Sequence, residues 1–183
     1  MQPTINYLFK KKNTIKDEEI RAALKVLKSG DLSGFMGSAG KQFLGGKFVR
    51  KFEKTVEKFY RVKYAISVNS WTSGLIAAVG SLDVEPGDEI IVTPWTMCAT
   101  ATAILHWNCI PVFADINNDT FCIDPLEIKK KITSKTKAII AVDIFGYPAD
   151  INGIKKVIKG KNIKIISDNA QAPYALNNGK ISG

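Results

Sequence analysis

The sequence predicts an α/β fold in three layers, with helices on both faces of a mostly parallel β-sheet. Beyond the first sixty or so residues, short apolar runs alternate with helical segments at a spacing of about 20 to 30 residues, which is typical of β-α-β units. The run at residues 138–142, AIIAV, is apolar at every position. Such a run is expected for a parallel strand that is buried on both faces.

The N-terminal part, residues 1–46, is predicted to be a separate segment that contains one helix and a loop. Apolar residues fall on one face of a helix over Asp17–Ser29, and Gly30 follows as a stop signal. Residues 34–46 contain five glycines and are predicted to be a loop. This loop is a candidate for contact with a substrate or a partner.

The remainder, residues 47–183, is predicted to be one large α/β domain. It begins with a helix at about residues 48–60, where aromatic and aliphatic residues recur at helical spacing. Five strands are predicted, at residues 64–68, 89–92, 111–114, 138–142 and 163–166. Helices are predicted to begin near Thr72, Cys98, Pro125 and Asp150.

Composition narrows the class of protein. No run approaches the roughly 18 consecutive apolar residues of a membrane helix, and no signal peptide is evident, so we expect a cytoplasmic protein. The three cysteines lack CxxC spacing, which disfavours a metal site. A net charge of +9 would suit nucleic acid, but all but three of the 26 basic residues are lysine. Because base recognition favours arginine, nucleic-acid binding is the least favoured interpretation.

A turn of small and hydroxyl-bearing residues, NSWTSG at residues 69–74, follows the first predicted strand and precedes a helix. Free backbone N–H groups at the positive end of a helix bind phosphate well. Serine and threonine are also ordinary N-caps, so a purely structural role stays open. Neither GxGxxG nor GxxxxGK[ST] occurs, which disfavours a dinucleotide site or a P-loop.

Two further strand ends carry candidate ligand contacts. Trp95 follows the second predicted strand, where an aromatic side chain can stack on a flat ring or pack in the core. Asp168 follows the fifth predicted strand, and Gln171 comes three residues later. A carboxylate there can keep a ring nitrogen protonated, although a helix cap is an equal alternative.

Taken together, the chain resembles the DegT/StrS-type sugar aminotransferases, which are pyridoxal-phosphate (PLP) enzymes of aminotransferase fold type I. The similarity runs from about Gly30 to the last residue. It rests on the order and spacing of six motifs: NSWTSGL (69–75), PGDEIIV (86–92), ATATAIL (99–105), PVFADI (111–116), TKAII (136–140) and DNAQA (168–172). The resemblance implies that residues 47–183 are an incomplete large PLP-binding domain.

The family pattern implies cofactor contacts for particular residues. Asp168 is expected to pair with the pyridine nitrogen, and Gln171 to hydrogen-bond the phenolic oxygen of the ring. Trp71 and Thr72 are expected to bind the phosphate through the helix N-terminus, with the Thr72 hydroxyl as an added contact. The aromatic residue that stacks on the ring in the family falls on Met97 here, and Trp95 remains an alternative.

Three departures from the family pattern stand out. Trp71 replaces the small residue that is usual at its position. Asp143 stands where many relatives have a histidine. The lysine that forms a Schiff base with PLP in the family is expected beyond Gly183, together with the C-terminal small domain, so we expect no catalytic residue in this chain.

The resemblance implies transfer of an amino group from an amino-acid donor, expected to be glutamate, to a keto group of a nucleotide-linked sugar in the parent protein. That protein is expected to be a homodimer in polysaccharide biosynthesis. Two alternatives stay open. The chain alone is a catalytically silent fragment that binds PLP or phosphate weakly, or the parent belongs to the dehydratase branch of the family.

Overall fold

A computed structural model describes residues 13–177 and 179–182. The chain divides into two compact units, one ending at Ser67 and one that begins at Val68. The predicted division after residue 46 stays a prediction, and residues 1–12 of that segment lie outside the described residues. The two units are described separately.

The first unit contains two helices, α1 (Asp17–Ser29) and α2 (Lys47–Tyr60). The first has the bounds that the sequence predicted, and the second begins one residue earlier than predicted. Gly30 ends α1 in the left-handed conformation at φ 71°, which glycine adopts without steric cost. After α2, the backbone N–H and the hydroxyl of Ser67 both donate to Oε1 of Glu53, at 2.8 and 2.9 Å.

The glycine-rich loop returns on itself. The Gly46 N–H donates to the Ser33 carbonyl at 2.7 Å. A Cβ atom on Gly34, which has φ +68°, would lie 2.5 Å from the Gly46 Cα. Only glycine permits this close approach of the two backbones. Residues 34–46 contain no helix or strand, so the predicted loop is confirmed.

The strand predicted at residues 64–68 is wrong, because that segment has no regular secondary structure. Its apolar residues alternate as in a strand, but Tyr64 is 71% exposed and Ile66 is 84% exposed. A strand needs a neighbouring backbone to pair its N–H and C=O groups. No strand within residues 13–177 and 179–182 supplies that neighbour.

The second unit is built on a sheet of four strands: β1 (Glu89–Val92), β2 (Ile110–Phe113), β3 (Thr136–Val142) and β4 (Lys164–Asp168). The strand order is β2-β1-β3-β4, and every pair is parallel. The predicted mostly parallel sheet is therefore confirmed. A small antiparallel pair follows, β5 (Leu176–Asn177) with β6 (Lys180–Ile181).

Helix α3 (Trp71–Gly80) precedes β1, and three helices connect the successive strands: α4 (Cys98–Leu105), α5 (Pro125–Lys131) and α6 (Ile151–Val157). Successive residues of β1 point to opposite faces of the sheet. Ile91 packs in one core cluster with Ile128 of α5, and Ile90 packs in a second cluster with Val79 of α3. The sheet thus separates two apolar cores, as the predicted three-layer fold requires.

The carboxyl ends of the parallel strands carry buried polar residues, although the middles of the strands are apolar. Thr93 follows β1, Asp143 follows β3, and Asp168 ends β4. All three are at most 4% exposed. Open α/β sheets bind ligands at this edge, so it is the candidate location for a functional site.

Candidate functional site

Asp168 is the centre of the candidate site. It is 4% exposed, and its carboxylate accepts hydrogen bonds from side chains of two different helices. The Trp71 indole Nε1–H donates to Oδ1 at 2.8 Å, and the Thr100 hydroxyl donates to Oδ2 at 2.8 Å. No lysine or arginine in the described part of the chain forms an ion pair with it. The buried carboxylate therefore has neutral donors only.

Sequence reasoning did not single out Thr100. This side chain is 1% exposed in the first turn of α4, and its hydroxyl lies 3.1 Å from that of Thr96. A chain of hydroxyls thus leads from the β1–α4 turn to Asp168. The signal available in the sequence is the pair of hydroxyl-bearing residues four positions apart, Thr96 just before α4 and Thr100 in its first turn.

The N-terminus of α3 is the second part of the site. Ser70 is the N-cap, and its hydroxyl accepts from the Ser73 N–H at 3.1 Å. Trp71 and Thr72 are the first two helical residues, and no backbone carbonyl of the described residues accepts from their N–H groups. Both remain open for an anion at the positive end of the helix. The indole contact of Trp71 brings this turn and Asp168 together.

Gln171 is exposed and approaches the loop after β3. Its Oε1 accepts from the backbone N–H of Phe145 at 3.1 Å. Because a backbone N–H requires the amide oxygen as acceptor, this contact fixes the orientation of the amide group. The Nε2 group is left as the donor, which is the polarity that a phenolic oxygen needs.

The two candidates for ring stacking differ in their surroundings. Trp95 is 49% exposed and lies against two aromatic rings, with centroid distances of 6.3 Å to Phe121 and 6.5 Å to Phe145. Met97 is 66% exposed and is the N-cap of α4, three residues before Thr100. Both side chains stay candidates for contact with a ring.

Asp143 is completely buried, and both of its carboxylate oxygens accept hydrogen bonds from the protein itself. Its Oδ1 accepts from the Ala149 N–H at 2.8 Å, and its Oδ2 accepts from the Ser182 hydroxyl. The Ser182 carbonyl in turn accepts from the Asn169 side chain at 2.9 Å. These contacts attach the segment after β6 to the ends of β3 and β4.

The described part of the chain contains neither a metal-binding cluster nor a membrane-spanning helix. No group of three or more His, Cys, Asp and Glu side chains converges there in a way that would hold a metal ion. Among the helices within residues 13–177, none combines the length and the apolar character that crossing a bilayer demands.

Comparison with known proteins identifies relatives. Over 157 residues the chain is 36% identical to the spore coat polysaccharide biosynthesis protein SpsC of Bacillus subtilis, covering 86% of this chain and 38% of the relative. Over 138 residues it is 36% identical to the GDP-perosamine synthase of Escherichia coli O157:H7, covering 75% of this chain and 38% of that enzyme. The match thus spans less than half the length of these curated relatives.

Solved structures agree with the sequence relatives. The E. coli GDP-4-keto-6-deoxy-D-mannose-3-dehydratase with bound hydrated PLP superposes with a TM-score of 0.81 at 28% identity, covering 94% of this chain and 43% of that one. The structure of ntda from Bacillus subtilis with bound cofactor PMP gives a TM-score of 0.77 at 29% identity, covering 90% of this chain and 36% of that one. The predicted cofactor is thus the one named for these solved relatives.

The family assignment rests on more than individual relatives. The model of the DegT/DnrJ/EryC1/StrS aminotransferase family matches residues 14–183, which is nearly the whole chain. That range contains every residue of the site described above. The resemblance seen in the six sequence motifs is therefore confirmed, and this chain belongs to the DegT/DnrJ/EryC1/StrS aminotransferase family.

Proposed function

We propose that this chain is the cofactor-binding part of a PLP-dependent enzyme that transfers an amino group from glutamate to a keto group of a nucleotide-linked sugar. The observation that carries the proposal is Asp168, a buried carboxylate with only neutral donors, at the carboxyl end of a parallel strand. The relatives named GDP-perosamine synthase support a sugar-nucleotide substrate.

The donors and acceptors of the site fit PLP. A pyridinium N–H needs a carboxylate acceptor, and Asp168 supplies one that no basic side chain of the described residues neutralises. A phosphate needs N–H donors in a positive field, and the first turn of α3 supplies the N–H groups of Trp71 and Thr72. The phenolic oxygen needs a donor, and the Gln171 Nε2 group is oriented as one.

When bound, PLP supplies an electron sink for the carbon that gains or loses the amino group. The work of this chain is to hold the cofactor and set the charge on its ring. Asp168 keeps a proton at the ring nitrogen, and its burial strengthens that interaction because water does not screen it. The α3 N-terminus orients the phosphate, and Met97 or Trp95 covers one face of the ring.

The reacting lysine is expected outside these 183 residues. Lys180 is exposed in the strand pair of β5 and β6, where its backbone pairs with Asn177. We therefore propose that the chain alone binds PLP or phosphate weakly and does not turn over substrate. A homodimer and a cytoplasmic location of the parent protein stay part of the proposal.

Titration with pyridoxamine phosphate (PMP) tests cofactor binding without requiring a lysine, because its amine forms no Schiff base with the protein. We expect saturable binding of one PMP per chain in equilibrium dialysis, and competition by inorganic phosphate. Thr72→Ala removes a proposed phosphate contact and is expected to weaken binding several-fold. Ser81→Ala removes a hydroxyl at the opposite end of α3 and is the matched control. Equal effects of the two substitutions would contradict the proposed phosphate site.

The transferase step is tested in a longer product of the same reading frame, if the frame continues beyond Gly183. An absorbance band of bound PLP that shifts on addition of glutamate is the expected result. The dehydratase alternative is favoured by the structural likeness to GDP-4-keto-6-deoxy-D-mannose-3-dehydratase. A histidine in place of the downstream lysine would favour that branch, and absence of a PLP band would refute the transferase.

A further inference from the structure

Trp71 connects the two ends of the proposed cofactor site. Its backbone N–H is at the first helical position of α3, where the phosphate is proposed to bind. Its indole Nε1–H, on the same residue, donates to Asp168 Oδ1 at 2.8 Å. The side chain is half exposed, whereas the carboxylate is buried. One residue therefore spans from the phosphate turn to the group proposed to hold the ring nitrogen.

The acceptor capacity of Asp168 is almost filled. A carboxylate oxygen offers two lone pairs, so the carboxylate accepts about four hydrogen bonds in all. Oδ1 accepts from Trp71 at 2.8 Å and from the Ala170 backbone N–H at 3.3 Å. Oδ2 accepts from Thr100 at 2.8 Å. The one remaining acceptor position is on Oδ2, and a ring nitrogen has to use it if the other contacts persist.

We propose that Trp71 is a positioning residue, whose indole N–H stays on Oδ1 of Asp168 and directs the open position of Oδ2 toward the cofactor's ring nitrogen. The inference rests on the proposed function, and it concerns the side chain of Trp71 rather than the phosphate contact of its backbone. The carboxylate can otherwise rotate about its Cβ–Cγ bond. Donors on both oxygens, from α3 and α4, remove that freedom before the cofactor binds.

The contact between Trp71 and Asp168 is tested first in the cofactor-free chain. Tryptophan labelled with ¹⁵N gives one indole N–H signal for each of the three tryptophans. Asp168→Asn is expected to move the Trp71 signal, because the indole loses a charged acceptor. The Trp107 indole donates to the Ile76 carbonyl at 2.8 Å and its signal is expected to stay in place. An unmoved Trp71 signal would overturn the proposal.

The positioning role is tested with PMP and with an analogue of PMP in which C–H replaces the ring nitrogen. Trp71→Phe keeps an aromatic ring and removes the N–H donor. It is expected to weaken PMP binding about tenfold, the effect of losing a hydrogen bond that organises a charged group. The same substitution is expected to leave the affinity for the analogue unchanged, since the analogue makes no bond to Asp168. Trp107→Phe is the matched control for both ligands.

Each other result refutes the inference in a recognisable way. An equal loss of affinity for PMP and for the analogue would mean that Trp71 acts only through folding or packing. Tighter PMP binding by Trp71→Phe would mean that the indole competes with the cofactor ring for Asp168. If the unaltered chain binds neither ligand, the proposed function fails and the positioning role fails with it. The indole signals still decide, in that case, whether Trp71 holds the carboxylate.

Discussion

Replacing Asp168 by asparagine is expected to separate cofactor binding from folding. Asparagine has the same shape, and its Oδ1 can still accept from the Trp71 indole N–H. On the other side, the Thr100 hydroxyl has to turn and accept from Nδ2–H instead of donating. The two side-chain bonds lose their ionic character, but a buried charge is also removed. These effects oppose each other, so we expect a change in unfolding free energy of about 1 kcal/mol or less.

Cofactor affinity is expected to respond far more strongly. In the proposed site the carboxylate accepts a hydrogen bond from a charged ring nitrogen, and a bond of that kind contributes about 1.5–3 kcal/mol. Its loss corresponds to an affinity about ten to a hundred times lower. The measurement is PMP titration by calorimetry, alongside urea unfolding of the same protein. The two measurements separate a site effect from a folding effect.

Asp83→Asn is the control for replacing an aspartate carboxylate by an amide elsewhere in the chain. Asp83 is exposed and has φ 52°, a left-handed conformation that asparagine also adopts readily. Its substitution removes the same charge from the chain without touching the site. If Asp168→Asn stays folded and binds PMP as tightly as Asp83→Asn does, the assignment of Asp168 to the ring nitrogen is refuted.

Three further outcomes are expected. Borohydride reduction after incubation with PLP should leave no single lysine modified stoichiometrically in peptide mass spectra, and one dominant adduct would contradict the silent-fragment proposal. Gly80→Ala places a Cβ atom 2.1 Å from the Trp107 ring, so urea unfolding should show an unfolding free energy lower by about 1–3 kcal/mol. Gly37→Ala adds a Cβ atom in open space and should leave the unfolding free energy unchanged. Iodoacetamide at pH 8 should label Cys98 first, because burial raises the pKa of the Cys109 and Cys122 thiols; equal labelling of the native chain would contradict this.

The fold could be predicted wherever local pattern and tertiary environment agree. The strand Glu89–Val92 was predicted with its observed bounds, because an uninterrupted apolar run between turn residues is compatible with burial on both faces. Residues 64–68, YAISV, alternate in a way that also suits a strand, and they form none. The residue pattern of a segment indicates whether the segment suits a strand. Strand pairing also depends on a neighbouring backbone, which the sequence of that segment does not specify.

The site could be predicted only in part, for a related reason. Asp168 was found because it follows a predicted strand, and strand ends meet at one edge. The turn before α3 was found from its hydroxyl-bearing residues ahead of a helix, although the strand predicted before it does not form. Thr100 was missed because it lies within the first turn of α4, and the face that it presents to Asp168 depends on how that helix packs. The indole of Trp71 was missed because its partner is 97 residues away in the chain.

Asp143 and Asp168 show why burial alone does not identify a ligand site. The two carboxylates end adjacent strands, and the Asp143 N–H even donates to the Asp168 carbonyl at 2.9 Å. Both oxygens of Asp143 are engaged by the protein, one by the Ala149 N–H and one by the Ser182 hydroxyl, and the residue has no exposed surface. Asp168 keeps a small exposed fraction, which a ligand needs in order to reach the carboxylate. Asp143, where many relatives have a histidine, therefore stabilises the strand ends. Asp168 is the carboxylate proposed to interact with the cofactor ring.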